Sequence, residues 1–503
     1  MTDPTIPTAP TSPTGLPGGV GGVGPRPGHQ PLFLGGEYAH GTGPERYEVI
    51  SPATGEPVGS LTLPSAADLD RAVAAAHTAQ RAWAGVNVWE RAAVCHRIAD
   101  ELDRRREELV LLQTLEQGKP LAESTADVTE AAQLFRLHAE DAVRLTGETL
   151  LSRDNTKRMF TFHRPVGTWG VITPWNFPLL MFAEFAAPGL ATGNALVVKP
   201  SAHTPLTVLR AMEALTAAGL PKGLVSVLPG AGDFGEALVR HPGIHAIGFI
   251  GSSATGARIQ AAAGLKRTLM ECSGNGPLVV LADADVAAAA KAAVAGAYPC
   301  AGQVCCATER VVVHADVHDE FVAAVLGEAE RVVLGDPLDA KTLLGPLNNE
   351  AVARKMDRHV ADARERGARV LLGGRRRAGM PTDLYYEFTV VDAVPEDSLL
   401  AKEESFGPVV PVITGRDEDD LLRIANDDAL GLQGAVFTRS MTSAYRFMEE
   451  MAVGQVIVNE TNNWWDINMP FGGAGGRATG WGRIGGKNSL LDMTDLRTGV
   501  ISL

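Results

Sequence analysis

Short apolar segments alternate with helix-like segments through the middle of the chain, and this alternation limits the possible folds more than any other feature. The predicted strands of the first run are residues 167–173, 195–199, 224–228, 246–250 and 268–272. Segments such as 205–217 between them have helical spacing. Strand–helix–strand units return to one sheet by right-handed crossovers, so the pattern predicts a parallel sheet covered by helices. Further strands at 278–281 and 310–313 predict a second α/β domain.

Length and charge exclude several classes of protein. The chain has 503 residues, 45% of them hydrophobic, enough for a large core and about two to four domains. Its net charge of −14 argues against nucleic acid as a partner, since phosphate binding needs a basic surface. No segment approaches the roughly 18 apolar residues that span a bilayer. The five cysteines form no disulfide pattern, so we expect a cytoplasmic protein.

A cysteine and a glutamate suggest covalent chemistry on a carbonyl group. Cys305 could supply a nucleophilic thiolate and Glu271 a general base. Alone, neither residue is persuasive, because single cysteines are usually buried apolar residues and single glutamates are usually solvated. Asn176 follows the first predicted strand in a turn bounded by prolines. Its amide could donate to an oxyanion, although an ordinary turn is the alternative.

Several motifs, in order, together resemble the aldehyde dehydrogenase superfamily. The resemblance covers about residues 31–503. The motifs are P-W-N-F-P at 174–178, V-K-P-S at 198–201, G-F-I-G-S at 248–252, G-Q-V-C at 302–305, E-E-S-F-G-P at 403–408 and P-F-G-G at 470–473.

This resemblance implies an α/β fold in three parts: a Rossmann-type cofactor domain, an α/β catalytic domain and a small β oligomerisation element. We assign residues 31–148 and 163–271 to the cofactor domain and 272–470 to the catalytic domain. Segments 149–162 and 484–503 would form the oligomerisation element. Residues 1–30 are rich in Pro, Thr and Gly, which predicts a disordered tail.

The resemblance also implies a role for each matching residue. Cys305 is expected to be the nucleophile, Glu271 the base that activates water, and Asn176 part of the oxyanion hole with the Cys305 backbone N–H. Glu271 favours hydrolysis to a free acid over transfer to coenzyme A. The expected cofactor-binding residues are Trp175, Lys199, Ser201, Ala202, Gly230, Gly251, Ser252, Glu404 and Phe406.

One cofactor residue departs from the family pattern. Members that prefer NAD usually carry Glu three residues after the lysine, where this chain has Ala202. A carboxylate there would repel a 2′-phosphate, and alanine removes that repulsion. We therefore expect the cofactor to be NADP or NAD, with NADP accepted.

The substrate is the least defined part of the resemblance. Trp464 and Trp465 fall in the loop expected at the substrate entrance, where they could form an aromatic clamp or simply pack the loop. Members that oxidise acidic aldehydes often place Arg near the positions of Glu184 and Phe185. The presence of Glu184 and Phe185 here disfavours a substrate with a distal carboxylate and favours an apolar or cationic aldehyde.

The predicted function is oxidation of a small-molecule aldehyde to a carboxylic acid, with hydride transfer to NAD(P). Two alternatives stay open: a non-catalytic member kept for structure or binding, and a cofactor-independent thiol esterase. We predict no metal, nucleic-acid or membrane partner. By resemblance, a homodimer or homotetramer is expected, associating through residues 158–163 and 492–502.

Overall fold

The computed structural model describes residues 28–503. Most of the predicted tail, residues 1–27, lies outside the described residues. The predicted end of the tail at residue 30 is wrong, because His29 and Gln30 form a strand that pairs in parallel with Ser60 and Leu61.

The secondary structure alternates as the sequence predicts. The strands are β1 (His29–Gln30), β2 (Leu32–Leu34), β3 (Glu37–Ala39), β4 (Arg46–Ile50), β5 (Pro57–Thr62), β6 (Thr149–Leu150), β7 (Lys157–Pro165), β8 (Thr168–Ile172), β9 (Ala195–Lys199), β10 (Val225–Val227), β11 (Ala246–Ile250), β12 (Arg267–Glu271), β13 (Pro277–Val280), β14 (Arg310–His314), β15 (Arg369–Leu372), β16 (Thr389–Asp392), β17 (Val409–Gly415), β18 (Gln433–Phe437), β19 (Gln455–Val458), β20 (Gly480–Trp481) and β21 (Thr494–Ser502). The α-helices are α1 (Ala66–Ala84), α2 (Val88–Arg104), α3 (Arg106–Gln117), α4 (Leu121–Ala142), α5 (Pro178–Thr192), α6 (Leu206–Ala217), α7 (Gly232–Arg240), α8 (Ser253–Ala263), α9 (Val286–Ala297), α10 (His318–Ala329), α11 (Glu350–Glu365), α12 (Leu399–Lys402), α13 (Glu418–Asn426), α14 (Met441–Glu450) and α15 (Gly486–Asp492).

The first large sheet has eight strands in the order β20-β12-β11-β8-β9-β10-β2-β3. The pairs from β12 to β10 are parallel, and the outer strands β20, β2 and β3 pair antiparallel. Strands β8, β10 and β11 are buried throughout, as expected for parallel strands covered by helices. This confirms the parallel sheet predicted from the alternation.

The helix α1 shows how local sequence fixes an element beside this sheet. Ser65 caps its N-terminus and forms a reciprocal capping box with Asp68. Leu69, Val73 and Ala76 then recur at helical spacing and are all buried in the first hydrophobic core.

The second large sheet has seven strands in the order β15-β16-β17-β14-β13-β18-β19, of which only the β15–β16 pair is antiparallel. Its buried residues form a second hydrophobic core. Residues of the Cys305 loop, including Val304 and Cys306, pack into the first core, whereas Trp175 packs against the second. The segment that carries Cys305 therefore lies where the two cores meet.

A smaller sheet, β21-β7-β6, contains the segments predicted for oligomerisation. Two predicted bounds differ from the structure. Strand β7 continues unbroken past residue 162 to Pro165. The predicted start of the C-terminal segment at residue 484 is too early, because Ile484 and Leu490 are buried in the first core.

Candidate active site

The carboxyl ends of the parallel strands bring the predicted site residues to one edge of the first sheet. Glu271 is the last residue of β12 and Lys199 the last of β9. Asn176 follows β8, the strand that lies beside β9. Ligands of open α/β sheets bind at this edge, outside the carboxyl ends of the strands. The topology thus assembles residues that are far apart in sequence.

Asn176 is held in the turn between β8 and α5. Its Nδ2 donates to the carbonyl oxygen of Gln303 at 2.9 Å. A side-chain amide carries two N–H bonds, so the second is available to an oxyanion. Asn176 and Cys305 line the same cavity, which places that donor beside the thiol.

The turn before Cys305 has an unusual backbone. Cys300 and Ala301 have positive φ angles of 50° and 54°. Such conformations cost roughly 1–3 kcal/mol each in non-glycine residues and persist only where the surroundings impose them. Gly302 is required at the next position, because a Cβ there would lie 2.1 Å from the Gly407 carbonyl oxygen. The turn is therefore fixed tightly against the segment that carries Glu404.

Glu271 is buried beside Cys305. Glu271 is 2% exposed, and within residues 28–503 its carboxyl group meets no hydrogen-bond donor other than the Cys305 thiol. Burial, followed by the charge of Cys305, raises the pKa of Glu271 well above its ordinary value. At Gly274 a Cβ would lie 2.1 Å from the Cys305 carbonyl oxygen, so glycine allows the loop after Glu271 to contact the Cys305 backbone.

The Cys305 thiol is also held in its neutral form. A hydrogen bond with the Cys306 thiol, followed by burial, raises the pKa of Cys305 well above its ordinary value. Glu271 acts in the opposite direction by hydrogen bonding to the thiol. The Cys305 thiol must therefore lose its proton before it can react as a thiolate, and the raised pKa of Glu271 shifts formation of its carboxylate to higher pH.

Lys199 lies at the next strand end along the sheet edge. Its Nζ donates to the Gly230 carbonyl oxygen at 2.8 Å, and burial lowers its pKa to about 8. Ser201 and Ala202 follow it in a partly exposed turn, and His203 lines the cavity. The sequence places no carboxylate at residue 202.

The turn after β11 presents the N-terminus of α8. Ser252 is its N-cap and accepts a hydrogen bond from the Thr255 backbone N–H. A Cβ at Gly251 would lie 2.8 Å from the Phe249 ring, so a side chain there would force the turn to shift. Both residues line the cavity. Free N–H groups and the helix dipole at this end suit a pyrophosphate.

Glu404 and Phe406 approach the cavity from the second domain. Glu404 Oε1 accepts the Gly274 backbone N–H at 3.1 Å, which links it to the loop after Glu271. Burial raises the pKa of Glu404. The rings of Phe406 and Trp175 meet edge to face, with centroids 5.5 Å apart. This contact joins the cofactor and catalytic parts of the site.

Glu309 is a positioning residue that the sequence analysis missed. Its buried carboxylate accepts the backbone N–H groups of Ser405 and Phe406, each at 2.9 Å. Phe406 has a positive φ of 56°, so these two bonds stabilise a strained segment next to Glu404. The only sequence signal is an acidic residue immediately before the apolar strand β14.

These elements surround one cavity with a volume of 670 Å³. The predicted residues that line it are Trp175, Asn176, Glu184, Gly251, Ser252, Glu271, Cys305, Glu404, Phe406 and Trp465. The remaining predicted cofactor residues, Lys199, Ser201, Ala202 and Gly230, lie beside it at the β9 and β10 ends.

Two predicted substrate residues do not line the cavity. The Phe185 ring packs on β11, where a Cβ at Gly248 would lie 2.5 Å from it. Its neighbour Glu184 faces the cavity instead, because adjacent helical residues point in different directions. Trp464 is 45% exposed and stands outside the cavity, whereas Trp465 is part of its wall. Of the two tryptophans predicted to form an aromatic clamp, Trp465 lines the cavity and Trp464 does not.

Residues 28–503 contain neither a metal-binding cluster nor a membrane-spanning helix. No group of three or more His, Cys, Asp or Glu side chains there is placed to hold a metal ion. None of the helices is long and apolar enough to cross a membrane.

The chain is similar to known proteins in both sequence and structure. The profile described as "Aldehyde dehydrogenase family" matches residues 38–498. The mitochondrial succinate-semialdehyde dehydrogenase of Oryza sativa subsp. japonica is 36% identical over 92% of this chain and 88% of its own length. The NADP(+) succinate-semialdehyde dehydrogenase of Escherichia coli (strain K12) is 34% identical over 94% of this chain and 98% of its own length. The structure of Staphylococcus aureus betaine aldehyde dehydrogenase with NAD+ superposes with a TM-score of 0.91 at 31% identity. The match covers 94% of this chain and 95% of that chain.

Proposed function

The chain belongs to the aldehyde dehydrogenase family, and from this premise we propose that it oxidises an aldehyde to a free carboxylic acid through a thioester on Cys305. Membership confirms the predicted family, fold class and reaction class, an NAD(P)-dependent aldehyde dehydrogenase. The observation that carries the thioester route is the convergence of Cys305, Glu271 and Asn176 on one cavity.

The residues at the sheet edge fit a dinucleotide. The open N-terminus of α8 offers donors to a pyrophosphate, and the Glu404 carboxylate offers acceptors to ribose hydroxyl groups. Lys199 and the turn after it lie at the neighbouring strand end, where an adenosine would be bound. A dinucleotide held by these residues would supply the hydride acceptor for oxidation of the substrate carbon.

The side chains perform the remaining steps. Cys305 loses its proton, and its sulfur forms a bond to the aldehyde carbon. The Asn176 amide and the Cys305 backbone N–H donate to the oxyanion that develops there. After the carbon has been oxidised, Glu271 takes a proton from water, whose oxygen attacks the thioester carbon. The carbon–sulfur bond then breaks, releasing the acid and the Cys305 thiolate.

We further propose that NADP is accepted, because a 2′-phosphate meets no carboxylate at Ala202. The nearby His203 lines the cavity and can donate to a phosphate oxygen. If NAD were preferred to NADP a hundredfold in kcat/KM, this part of the proposal would be wrong.

Assembly and location are likewise proposals. The β21-β7-β6 sheet exposes several large apolar side chains, among them Leu496 (62%) and Val500 (59%), which supports a homodimer or homotetramer. The described cysteines are all free thiols, which supports a reducing compartment such as the cytoplasm.

The proposed reaction is tested with a panel of neutral, anionic and cationic aldehydes assayed for cofactor reduction with NAD and with NADP. We expect turnover with at least one aldehyde and none with Cys305→Ala. Appreciable turnover by that variant would contradict the thioester route. Hydrolysis of an activated ester in the absence of cofactor, with no dehydrogenase turnover, would instead favour a thiol esterase.

A further inference from the structure

One wall of the cavity contains a buried carboxyl group without a side-chain partner. Glu184 on α5 is 0% exposed and lines the cavity, and within residues 28–503 no side chain hydrogen-bonds to its carboxyl oxygens, which are approached only by the backbone N–H of Gly485. Burial raises its pKa to about 8. A buried carboxyl group with unfilled acceptor positions costs free energy. A ligand that donates hydrogen bonds to Glu184 would remove that cost.

A second carboxyl group adjoins it. Glu130 on α4 also lines the cavity, and α4 packs along α5. Burial, followed by the charge of Asp127, raises the pKa of Glu130 to about 7, and the charge of Glu130 adds to the raised pKa of Glu184. The two side chains therefore form a pair that a positive charge between α4 and α5 would stabilise.

The basic residues near the cavity are already engaged elsewhere. Among the described lining residues only His203 and Lys355 are basic, and both belong to the cofactor side, next to Ala202 and Glu404 respectively. Lys119, behind the wall, is paired with Asp127 at 3.1 Å, with both side chains fully buried. An aldehyde with a distal carboxylate would thus meet like charge without a counter-ion, although several relatives are succinate-semialdehyde dehydrogenases.

The cavity also has aromatic walls. Phe177, Trp465 and Phe471 line it together with Met181, which precedes Glu184 by one helical turn. Aromatic faces attract ammonium groups through the ring quadrupole, and more strongly when the site is desolvated. Apolar and aromatic walls beside the Glu184 and Glu130 carboxyl groups suit a short alkyl chain that ends in a protonated amine.

We propose that Glu184 and Glu130 bind the protonated amine of an aminoalkyl aldehyde, and that such aldehydes are the preferred substrate class. The inference rests on the proposed dehydrogenase function and deepens it. The carbonyl group would lie at Cys305 and Asn176, and the amine between α4 and α5. Glu184 is then the specificity-determining residue, with Glu130 as its support.

The test compares three aldehydes: aminopropanal, its neutral isostere butanal, and succinate semialdehyde. We expect the highest kcat/KM for aminopropanal and the lowest for succinate semialdehyde. In Glu184→Gln the ratio of kcat/KM for aminopropanal to that for butanal should fall about 10- to 100-fold, because one hydrogen-bonded charge is lost. Glu130→Gln should lower the same ratio less.

Glu184→Leu provides a readout that misfolding cannot imitate. We expect kcat/KM to rise for butanal while it falls for aminopropanal. Equal or lower preference for aminopropanal in the wild type, or an unchanged ratio in Glu184→Gln, would overturn the inference even if butanal is oxidised. Absence of turnover with every aldehyde would instead count against the proposed function itself.

Discussion

At the scale of single residues, Cys305 and Glu271 influence each other's protonation. Burial and the charge of Cys305 raise the pKa of Glu271, so its carboxylate forms only at higher pH. The pKa of Cys305 is raised as well, so its thiolate forms in the same direction. Because capture and hydrolysis both need the deprotonated form, both steps should accelerate as pH rises.

Cys306 offers a direct test of the thiol's environment. Its hydrogen bond is the leading cause of the raised pKa of Cys305, so Cys306→Ala should lower that pKa. The pH midpoint for alkylation of Cys305 by iodoacetamide, followed by mass spectrometry, should move down by about one unit, equivalent to one hydrogen bond. Cys95→Ala, which removes a remote buried thiol, is the control and should leave the midpoint unchanged. An unchanged or higher midpoint in Cys306→Ala would disprove the assignment.

At the scale of elements, two buried carboxylates perform the same local task in different places. Glu309 accepts two backbone N–H groups beside Glu404, and Glu116 accepts those of Leu206 and Thr207 at the start of α6. Only the first of these segments borders the cavity.

Glu309→Gln should therefore weaken cofactor binding specifically. An amide has one acceptor oxygen, so one of the two bonds is lost and Glu404 is no longer held in place. We expect KM for the cofactor to rise about tenfold, with a loss of about 1–3 kcal/mol in the free energy of unfolding. Glu116→Gln, the matched control, should lose similar stability with an unchanged KM. Equal KM values in the two variants would refute the positioning role.

The sequence predicts these elements unevenly. Strands β8 to β12 follow from apolar runs alternating with helices, because parallel strands are buried on both faces. The side of α5 that faces the cavity cannot be predicted from the sequence. Glu184 and Phe185 are neighbours, and the packing of Phe185 on Gly248 decides which of them reaches the cavity. Glu309 escapes prediction for the same reason, because its partners Ser405 and Phe406 are distant in sequence.

At the scale of the whole molecule, family motifs locate the chemistry, but cavity composition determines what enters. Cys305, Glu271 and Asn176 were predicted from sequence, and the structure brings them to one cavity. That Glu130 stands beside Glu184 was not predictable, because it depends on how α4 packs along α5.

The proposed assembly is tested at the same scale. Leu496 and Val500 are exposed in the described chain, so changing both to Glu should leave each subunit folded while preventing apolar association. Sedimentation equilibrium should give an oligomer for the wild type and the monomer mass for the double variant. The same oligomeric mass for both proteins would exclude this surface as the interface.

The central claim is that Cys305 captures the substrate and Glu271 releases it. The most direct measurement is the rapid-mixing time course of cofactor reduction by Glu271→Gln, combined with intact-protein mass spectrometry. We predict a burst of about one reduced cofactor per active site, a steady state about 10²–10⁴ times slower than in the wild type, and an accumulated acyl adduct on Cys305. Wild-type turnover by this variant, or loss of the burst together with the steady state, would contradict the claim.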